Sequence, residues 1–259
     1  MTIDVIGSTS IINLVLGFII VSCYFSMHFV DMVSFGSRVA GRLANKTGLG
    51  TTLQLSIMTL SKFALIPFLP VLGFLVESGI RIEDYLIIVI ISFMISFIGS
   101  IIILLKLNLF QYFFQKLFSN YKNITIPRAL IKTIFSKNQS IELKTCQDFS
   151  LDKVIIKKTL VSCFAYLFII TGFFAAFMLG ILYPENRLTL SQLTATFHGF
   201  GTIIFAVYLD PMLSRSIDLY DDDITWMNNV YSIILGRVLS YLIVLIAFSI
   251  FLFVQIIWL

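Results

Sequence analysis

Long apolar runs separated by short polar segments extend over most of the chain. A helix needs about 20 predominantly apolar residues to cross the hydrocarbon core of a bilayer. Windows of that length predict six transmembrane helices, at 11–34, 52–76, 85–105, 155–182, 190–209 and 235–259. The pattern therefore predicts an all-α polytopic membrane protein in which residues 1–259 form a single integral membrane domain.

Composition supports the membrane class, because only 12% of the residues are charged and 58% are hydrophobic. Soluble domains carry about 25% charged residues. The first apolar run follows Asp4 and lacks a basic segment before it, so we expect a retained helix here and not a cleaved signal peptide.

The distribution of Lys and Arg predicts the orientation. Arg81 and Arg187 are the only two cations in the second and fourth loops. Lys62 lies within a helix, and the other 15 of the 18 Lys and Arg residues are counted with the first, third and fifth loops, Arg237 among them. Cytoplasmic loops carry the excess of cations. The odd-numbered loops are therefore predicted to be cytoplasmic, with both termini on the outer side.

The third loop, 106–153, is a basic cytoplasmic segment that contains an amphipathic helix. Pro127 suits the first turn of that helix. Five apolar residues share one helical face: Ile126, Leu130, Ile131, Ile134 and Phe135. The helix is interpreted as a connector lying on anionic membrane lipids, or alternatively as a segment that recognises a lipid headgroup or a protein partner.

Lys62 has no other charged residue near it between Thr51 and Val76. A lysine at the centre of a bilayer costs about 2.5–3.5 kcal/mol on insertion scales and usually serves a partner or a ligand. Pro67 and Pro70 follow it and predict a kink or break in the helix. Two interpretations remain open for Lys62, a site for an anionic ligand near the midplane and a buried Lys–Asp pair.

Two polar stripes with helical spacing predict residues that face a ligand path. The first comprises Tyr24, His28, Asp31, Arg38 and Arg42. The second comprises Ser191, Thr194, His198, Gly201, Phe205 and Tyr208. The alternatives are that Asp31 and Arg38 neutralise each other, that His28 is a packed polar residue, and that the second stripe mediates helix packing. A small-residue seam at Gly172, Ala176 and Gly180 predicts close packing.

The sequence lacks a glycine-rich phosphate loop, an HExxH motif, a metal-ligand cluster and a nucleophile elbow. We therefore expect no enzyme activity, no metal and no cofactor. The cations instead form a series across the membrane, with Arg38 and Arg42 at the cytoplasmic mouth, Lys62 at mid-depth and Arg187 on the far side. Such a series suits the diphosphate of an anionic lipid headgroup.

Two stretches, Ser34 to Glu77 and Tyr183 to Leu213, resemble the Amj family of alternate lipid II flippases. The matching positions in the first stretch are Arg38, Ala40, Gly41, Thr47, Gly48, Ser61 and Lys62. Those in the second are Pro184, Glu185, Arg187, Ser191, Gln192, Leu193, Gly199, Asp210 and Pro211. Lys62 stands where the family more often has Arg.

The resemblance implies transport of lipid II, the undecaprenyl-diphosphate-linked peptidoglycan precursor, from the cytoplasmic to the outer leaflet of the bacterial plasma (inner) membrane. Substrate-binding residues are then expected at Arg38, Arg42, Ser61, Lys62, Glu185, Arg187, Gln192 and His198. Coupling to protons or membrane potential is expected at His28, Asp31 and Asp210. A cell-wall synthesis complex is a further expected partner, and nucleic acid is not.

Three alternative functions remain open at the level of sequence. The first is a flippase for another polyprenyl-linked glycan. The second is an enzyme acting on a polyprenyl-lipid headgroup, such as a phosphatase. The third is a scaffold that does not transport and whose basic loop recruits a cell-wall complex.

Overall fold

The computed structural model describes residues 2–121, 125–135, 149–220 and 222–258, and all regular secondary structure in these ranges is helical. The α-helices are α1 (Thr2–Val33), α2 (Phe35–Leu43), α3 (Thr47–Ser61), α4 (Leu65–Glu77), α5 (Ile82–Leu105), α6 (Leu107–Asn120), α7 (Ile126–Phe135), α8 (Ile156–Leu182), α9 (Arg187–Ser191), α10 (Leu193–Ile204), α11 (Asp210–Leu219) and α12 (Asp223–Trp258). Short 3-10 turns occupy Lys62–Ala64, Leu151–Lys153 and Pro184–Asn186, and Phe205–Leu209 forms a π-helical turn.

Six helical stretches within the described ranges are long and apolar enough to cross a membrane, which confirms the predicted fold class. They are Ile12–Leu43, Thr47–Glu77, Ile82–Leu105, Ile156–Leu182, Pro184–Leu219 and Asp223–Ile257. The last two begin earlier than the predicted 190 and 235. Polar residues such as Asn186 and Asn229 lower the hydropathy there without interrupting the helical stretches, so hydropathy windows underestimate their length.

Helix α8 is the central element, and α4, α5, α10 and α12 pack against it. Half of its most apolar window is buried, compared with 11% for the span Pro184–Leu219. Glycines permit the close approaches: a Cβ on Gly201 of α10 would lie 2.5 Å from the Ala165 carbonyl, and one on Gly236 of α12 would lie 2.5 Å from the Thr159 carbonyl. The span containing α10 is thus attached mainly along one edge of α8.

The predicted small-residue seam on α8 packs against the following span. A Cβ on Gly172 would lie 3.0 Å from the His198 backbone nitrogen, and one on Gly180 would lie 3.3 Å from the Arg187 side chain. The seam therefore serves packing within the chain, in agreement with its interpretation as a packing motif.

The predicted interruption of the second span is confirmed, but it lies ahead of the prolines. The 3-10 turn Lys62–Ala64 separates α3 from α4, and Pro67 is the third residue of α4. A proline lacks the N–H that would bind the carbonyl four residues earlier and its ring crowds that carbonyl, which here belongs to Phe63. Pro70 lies inside α4 without ending it.

The segment assigned by sequence to the first loop is largely helical, and α2 carries both Arg38 and Arg42, in keeping with their helical spacing in the first polar stripe. Helix α2 packs against α3 and α6, and nearly all of its residues are buried. Gly41 and Gly50 bring α2 and α3 together, since a Cβ on Gly41 would lie 2.7 Å from the Gly50 Cα. The arginines of α2 lower the hydropathy of this segment, although their charges face acceptors of the protein itself.

The amphipathic helix predicted in the segment 106–153 is confirmed as α7, which follows α6 and packs against it. Residues 122–124 and 136–148 of this segment lie outside the described ranges. Five apolar side chains of α7 are exposed, namely Ile126, Leu130, Ile131, Ile134 and Phe135. Its opposite face is buried through Ala129 and Thr133. The predicted apolar face therefore points away from the helical bundle.

Candidate functional site

Lys62 is the middle residue of the 31-residue span Thr47–Glu77. At a rise of 1.5 Å per residue, it lies roughly 22 Å from either end of that span. Its Nζ is 3.2 Å from Oδ2 of Asp31, and 34% of its side chain is exposed. The structure thus shows the Lys–Asp pair that the sequence left open, and it leaves part of the Lys62 side chain accessible.

Asp31 of α1 is almost fully buried and interacts with two cations. Ser61 donates a hydrogen bond to its Oδ1. Its Oδ2 lies 3.2 Å from the Lys62 Nζ and 3.8 Å from Nη2 of Arg237. Because the Coulomb energy varies inversely with distance, the two attractions differ by only about a fifth in a common dielectric. Neither cation therefore holds the carboxylate to the exclusion of the other.

Arg237 was assigned by sequence to the fifth loop, and this assignment is wrong. It lies within α12, and 1% of its side chain is exposed. Its Nη2 donates to Nδ1 of His28 at 2.9 Å and to the His28 carbonyl at 3.0 Å. The guanidinium stacks 4.7 Å from the centre of the Tyr166 ring. Since arginine only donates, His28 Nδ1 accepts here, which places the proton of a neutral ring on Nε2.

We refer to His28, Asp31, Ser61, Lys62 and Arg237 as the central cluster. It holds two cations and one carboxylate, and thus a formal charge of +1 with His28 neutral. Among the described residues, Nε and Nη1 of Arg237 and Nε2 of His28 are buried without a hydrogen-bond partner. Buried charges are normally paired and hydrogen-bonded. The surplus positive charge at mid-span is therefore the feature that an anionic ligand would complement.

Phe173 of α8 lies between α4 and α10. Its ring centre is 5.6 Å from that of Phe68 on α4 and 4.9 Å from that of His198 on α10. Nδ1 of His198 is 3.3 Å from the Ile169 carbonyl. His198 thus faces α8, and its role in a ligand path stays a prediction.

A cavity of about 320 Å³ lies at the end of α4. It is lined by Gly73, Val76, Glu77, Phe177, Pro184, Glu185, Arg187, Leu188 and Ser191. Two predicted site residues, Glu185 and Arg187, are therefore brought together, and Glu77 joins them although the sequence did not single it out. Gln192 is exposed one turn further on. Arg187 Nε also donates to the Gly180 carbonyl at 3.3 Å.

The two arginines predicted at the cytoplasmic mouth are bound to acceptors of the protein itself. Arg38 Nη1 is 2.7 Å from Asp210 Oδ1, and its Nη2 donates to the Ser214 hydroxyl at 2.8 Å. The side chain of Arg38 is fully buried, whereas 23% of Asp210 is exposed. Asp31 therefore does not neutralise Arg38, contrary to one of the alternatives left open by sequence.

Arg42 repeats this arrangement one turn further along α2. Its Nε is 2.9 Å from Asp223 Oδ1, and its other two nitrogens donate to the carbonyls of Ile217 and Tyr220 at 2.6 Å each. Its guanidinium lies 5.8 Å from the Trp226 ring centre. We refer to Arg38–Asp210 and Arg42–Asp223 as the arginine clamp. The clamp ties α2 to α11 and α12.

Asp222 caps the N-terminus of α12 beside the clamp. It accepts hydrogen bonds from the backbone N–H groups of Ile224 and Thr225, each at 3.0 Å. These bonds favour the ionised carboxylate, together with one from the Thr225 hydroxyl and the charge of Arg42, and they hold the pKa of Asp222 below its ordinary value. The start of α12 is thus stabilised by a carboxylate that stays charged at neutral pH.

Sequence reasoning missed Arg237 and the two tyrosines near it, Tyr166 and Tyr241. A signal was present, because small and polar residues recur every three or four positions along α12: Asn229, Ser232, Gly236 and Ser240. Asn229, Ser232 and Ser240 are buried. A polar stripe of this kind on an apolar helix indicates a face turned toward the protein interior, with Arg237 beside it.

The fold and the central cluster define a polytopic α-helical membrane protein with ionisable side chains at the middle of its bundle. Residues 23–254 match the Amj family, whose description reads "Alternate to MurJ", and the chain belongs to this family. The resemblance noted in the two sequence stretches is thereby confirmed. Neither the curated proteins nor the solved structures contain a significant match to the chain.

Proposed function

We propose that this protein is a flippase that moves lipid II from the cytoplasmic to the outer leaflet of the bacterial plasma membrane. The surplus positive charge at Lys62, in the middle of a membrane span, carries the proposal. A diphosphate presents oxygen acceptors that lysine and serine can bind by charge-assisted hydrogen bonds. Membership of a family described as an alternate to MurJ supports the same function.

In the proposed cycle, the diphosphate enters from the cytoplasmic side while the polyprenyl tail remains in the lipid. Arg38 and Arg42 bind it there after they release Asp210 and Asp223. Lys62 and Ser61 then hold it at mid-depth, within reach of His198. Glu185, Arg187 and Gln192 contact the headgroup at the outer end, and no covalent bond is made or broken.

The positions of the clamp and the cavity fit one stage of that cycle. With the odd-numbered loops placed in the cytoplasm, the arginine clamp lies at the cytoplasmic end and is closed. The 320 Å³ cavity beside Arg187 lies at the opposite end. In the proposed orientation, this conformation is the stage of the cycle that is closed to the cytoplasm. His28, Asp31 and Asp210 are the titratable groups through which protons or membrane potential would drive the exchange.

The surroundings of the bundle fit the proposed location. The exposed apolar face of α7, flanked by Arg128 and Lys132, suits an anionic lipid surface. A cell-wall synthesis complex that supplies or consumes lipid II is the expected protein partner.

The test is an accessibility assay for lipid II in the outer leaflet of a bacterial host depleted of its other flippases. The wild-type protein should restore exposure of lipid II, and Lys62→Ala should abolish it at an unchanged membrane level. Arg81→Gln is the matched control, because Arg81 is an exposed loop cation. Absence of lipid II exposure with the wild-type protein would contradict the assignment and leave another polyprenyl-linked glycan as the cargo. Full activity of Lys62→Ala would exclude Lys62 from cargo binding.

A further inference from the structure

The central cluster contains one more cation than its carboxylate needs. Lys62 and Arg237 both approach Oδ2 of Asp31, at 3.2 Å and 3.8 Å. A single carboxylate balances the charge of only one of them. The two cations differ in how freely each can turn to another partner.

Arg237 is fixed in place. Its Nη2 is bound twice by His28, through the ring nitrogen and the backbone carbonyl, and its guanidinium plane lies against Tyr166. Its side chain is almost completely buried. A planar guanidinium held on several sides cannot turn to a new partner without losing these contacts.

Lys62 has the opposite properties. Its ammonium group has Asp31 as its charged partner among the described residues, and 34% of its side chain is exposed. It lies in the 3-10 turn between α3 and α4, outside regular α-helix. A compact charge on a flexible four-carbon stem can exchange one anion for another by rotating its side chain.

We propose that Arg237 is the resident counter-ion of Asp31, and that it thereby releases Lys62 to bind the phosphate groups of a polyprenyl diphosphate. The inference deepens the proposed function and rests on it for the class of ligand. Arg237 is a positioning residue in this scheme, because it acts on the ligand through Asp31 and Lys62. When Lys62 turns toward the diphosphate, Asp31 keeps one cation and does not remain an unpaired buried charge.

The scheme makes a specific prediction about charge rescue. Arg237→Gln leaves Lys62 as the sole cation of Asp31, so it should weaken diphosphate binding although Lys62 is intact. Adding Asp31→Asn removes the carboxylate and should free Lys62 again. A purely structural role of Arg237 would give no such rescue, since the second substitution disturbs the same cluster further.

The measurement is calorimetric titration of the purified full-length protein in detergent with farnesyl diphosphate. We expect Arg237→Gln to raise the Kd at least about tenfold, the loss of one charge-assisted hydrogen bond, and the double variant with Asp31→Asn to return to within about threefold of wild type. Inorganic diphosphate is titrated in parallel. Equal binding of the two probes would identify free diphosphate as the ligand and overturn the lipid assignment.

A charge-matched pair separates the role of Lys62 from the net charge of the cluster. Asp31→Asn with Arg237→Gln retains only Lys62, and Asp31→Asn with Lys62→Gln retains only Arg237. The first should bind farnesyl diphosphate and the second should not, although both carry the wild-type formal charge of +1. Equal binding by the two would overturn the assignment of Lys62 as the released cation.

Two of the variants test the release of Lys62 from Asp31 even if Arg237→Gln does not fold. Asp31→Asn alone should bind farnesyl diphosphate at least as tightly as wild type, and weaker binding would contradict the proposal. The variant with Asp31→Asn and Lys62→Gln also keeps Arg237, and it should not bind farnesyl diphosphate. If the variants bind farnesyl diphosphate as expected but the wild-type protein exposes no lipid II, only the proposed function is overturned. Wild-type transport by Arg237→Gln would overturn the present inference alone.

Discussion

The arginine clamp and the central cluster both contain two cations, but they balance these charges differently. In the clamp each arginine has its own carboxylate and further acceptors, so that Arg38 contacts Asp210 and Ser214. In the central cluster Lys62 and Arg237 share Asp31. The comparison teaches that a buried cation with a carboxylate of its own holds helices together, whereas a cation in excess is available to a ligand.

The largest expected effect on folding stability is at Arg38. Arg38→Ala leaves Asp210 without its partner, and breaking a buried pair in this way costs about 3 kcal/mol. We expect a clear fall in the thermal unfolding temperature of the purified protein. The double variant Arg38→Ala, Asp210→Ala should recover much of the loss. If Arg38→Ala unfolds at the same temperature as wild type, the clamp does not stabilise the fold.

A smaller loss is expected at Arg42, because 43% of the Asp223 side chain is exposed. Exposed ion pairs contribute roughly 0–1 kcal/mol, and the two carbonyl contacts add to this. Arg42→Gln should therefore lower the unfolding temperature less than Arg38→Ala does. Raising the salt concentration should narrow the difference between Arg42→Gln and wild type. A loss as large as that at Arg38 would show that exposure does not weaken this half of the clamp.

Lys62 should affect stability least among the three cations. In Lys62→Ala, Asp31 keeps Ser61 and Arg237 as partners, so we expect a change within about 1 kcal/mol. The unfolding temperature should stay near that of wild type while lipid II exposure is lost. Parallel loss of stability and transport would remove the distinction between clamp and cluster. Lys62→Arg should retain part of the transport.

The smallest effect is a pH dependence at the start of α12. The pKa of Asp222 is lower in the folded protein than its ordinary value of 3.8. Its stabilisation is therefore complete above that value and is lost as the pH falls through the lowered pKa. Asp222→Asn preserves a capping side chain without a titratable group. Its unfolding temperature should fall less than that of wild type between pH 5 and pH 2, and identical profiles would exclude a contribution from Asp222.

The spans were predictable because each contains a long apolar window, and the break near Lys62 was predictable from Pro67. The charged residues that point into the helical bundle were not predictable. Arg38 and Arg237 were assigned to loops because a charge lowers hydropathy wherever it points. Only the packed structure shows that these charges turn inward toward Asp210 and Asp31.

The candidate site was likewise predictable only in part. Lys62 stood out because it is alone in its apolar span. Its pairing with Asp31 could be listed as an alternative but not decided, since two helices must be placed before a distance exists. The partners of Arg38 lie 172 and 176 positions away along the chain. No local pattern encodes such pairs.

The π-helical turn Phe205–Leu209 has a consequence for the evolution of this chain. A π turn accommodates one additional residue within a continuous helix. Each residue of an α-helix turns the chain by about 100°, so an extra residue in a regular helix would rotate everything after it by that angle. The wider π turn takes up this rotation, and His198 before it and Asp210 after it keep nearly the directions of an uninterrupted α-helix. The turn is therefore the place in this span where one residue can be lost while Asp210 still meets Arg38.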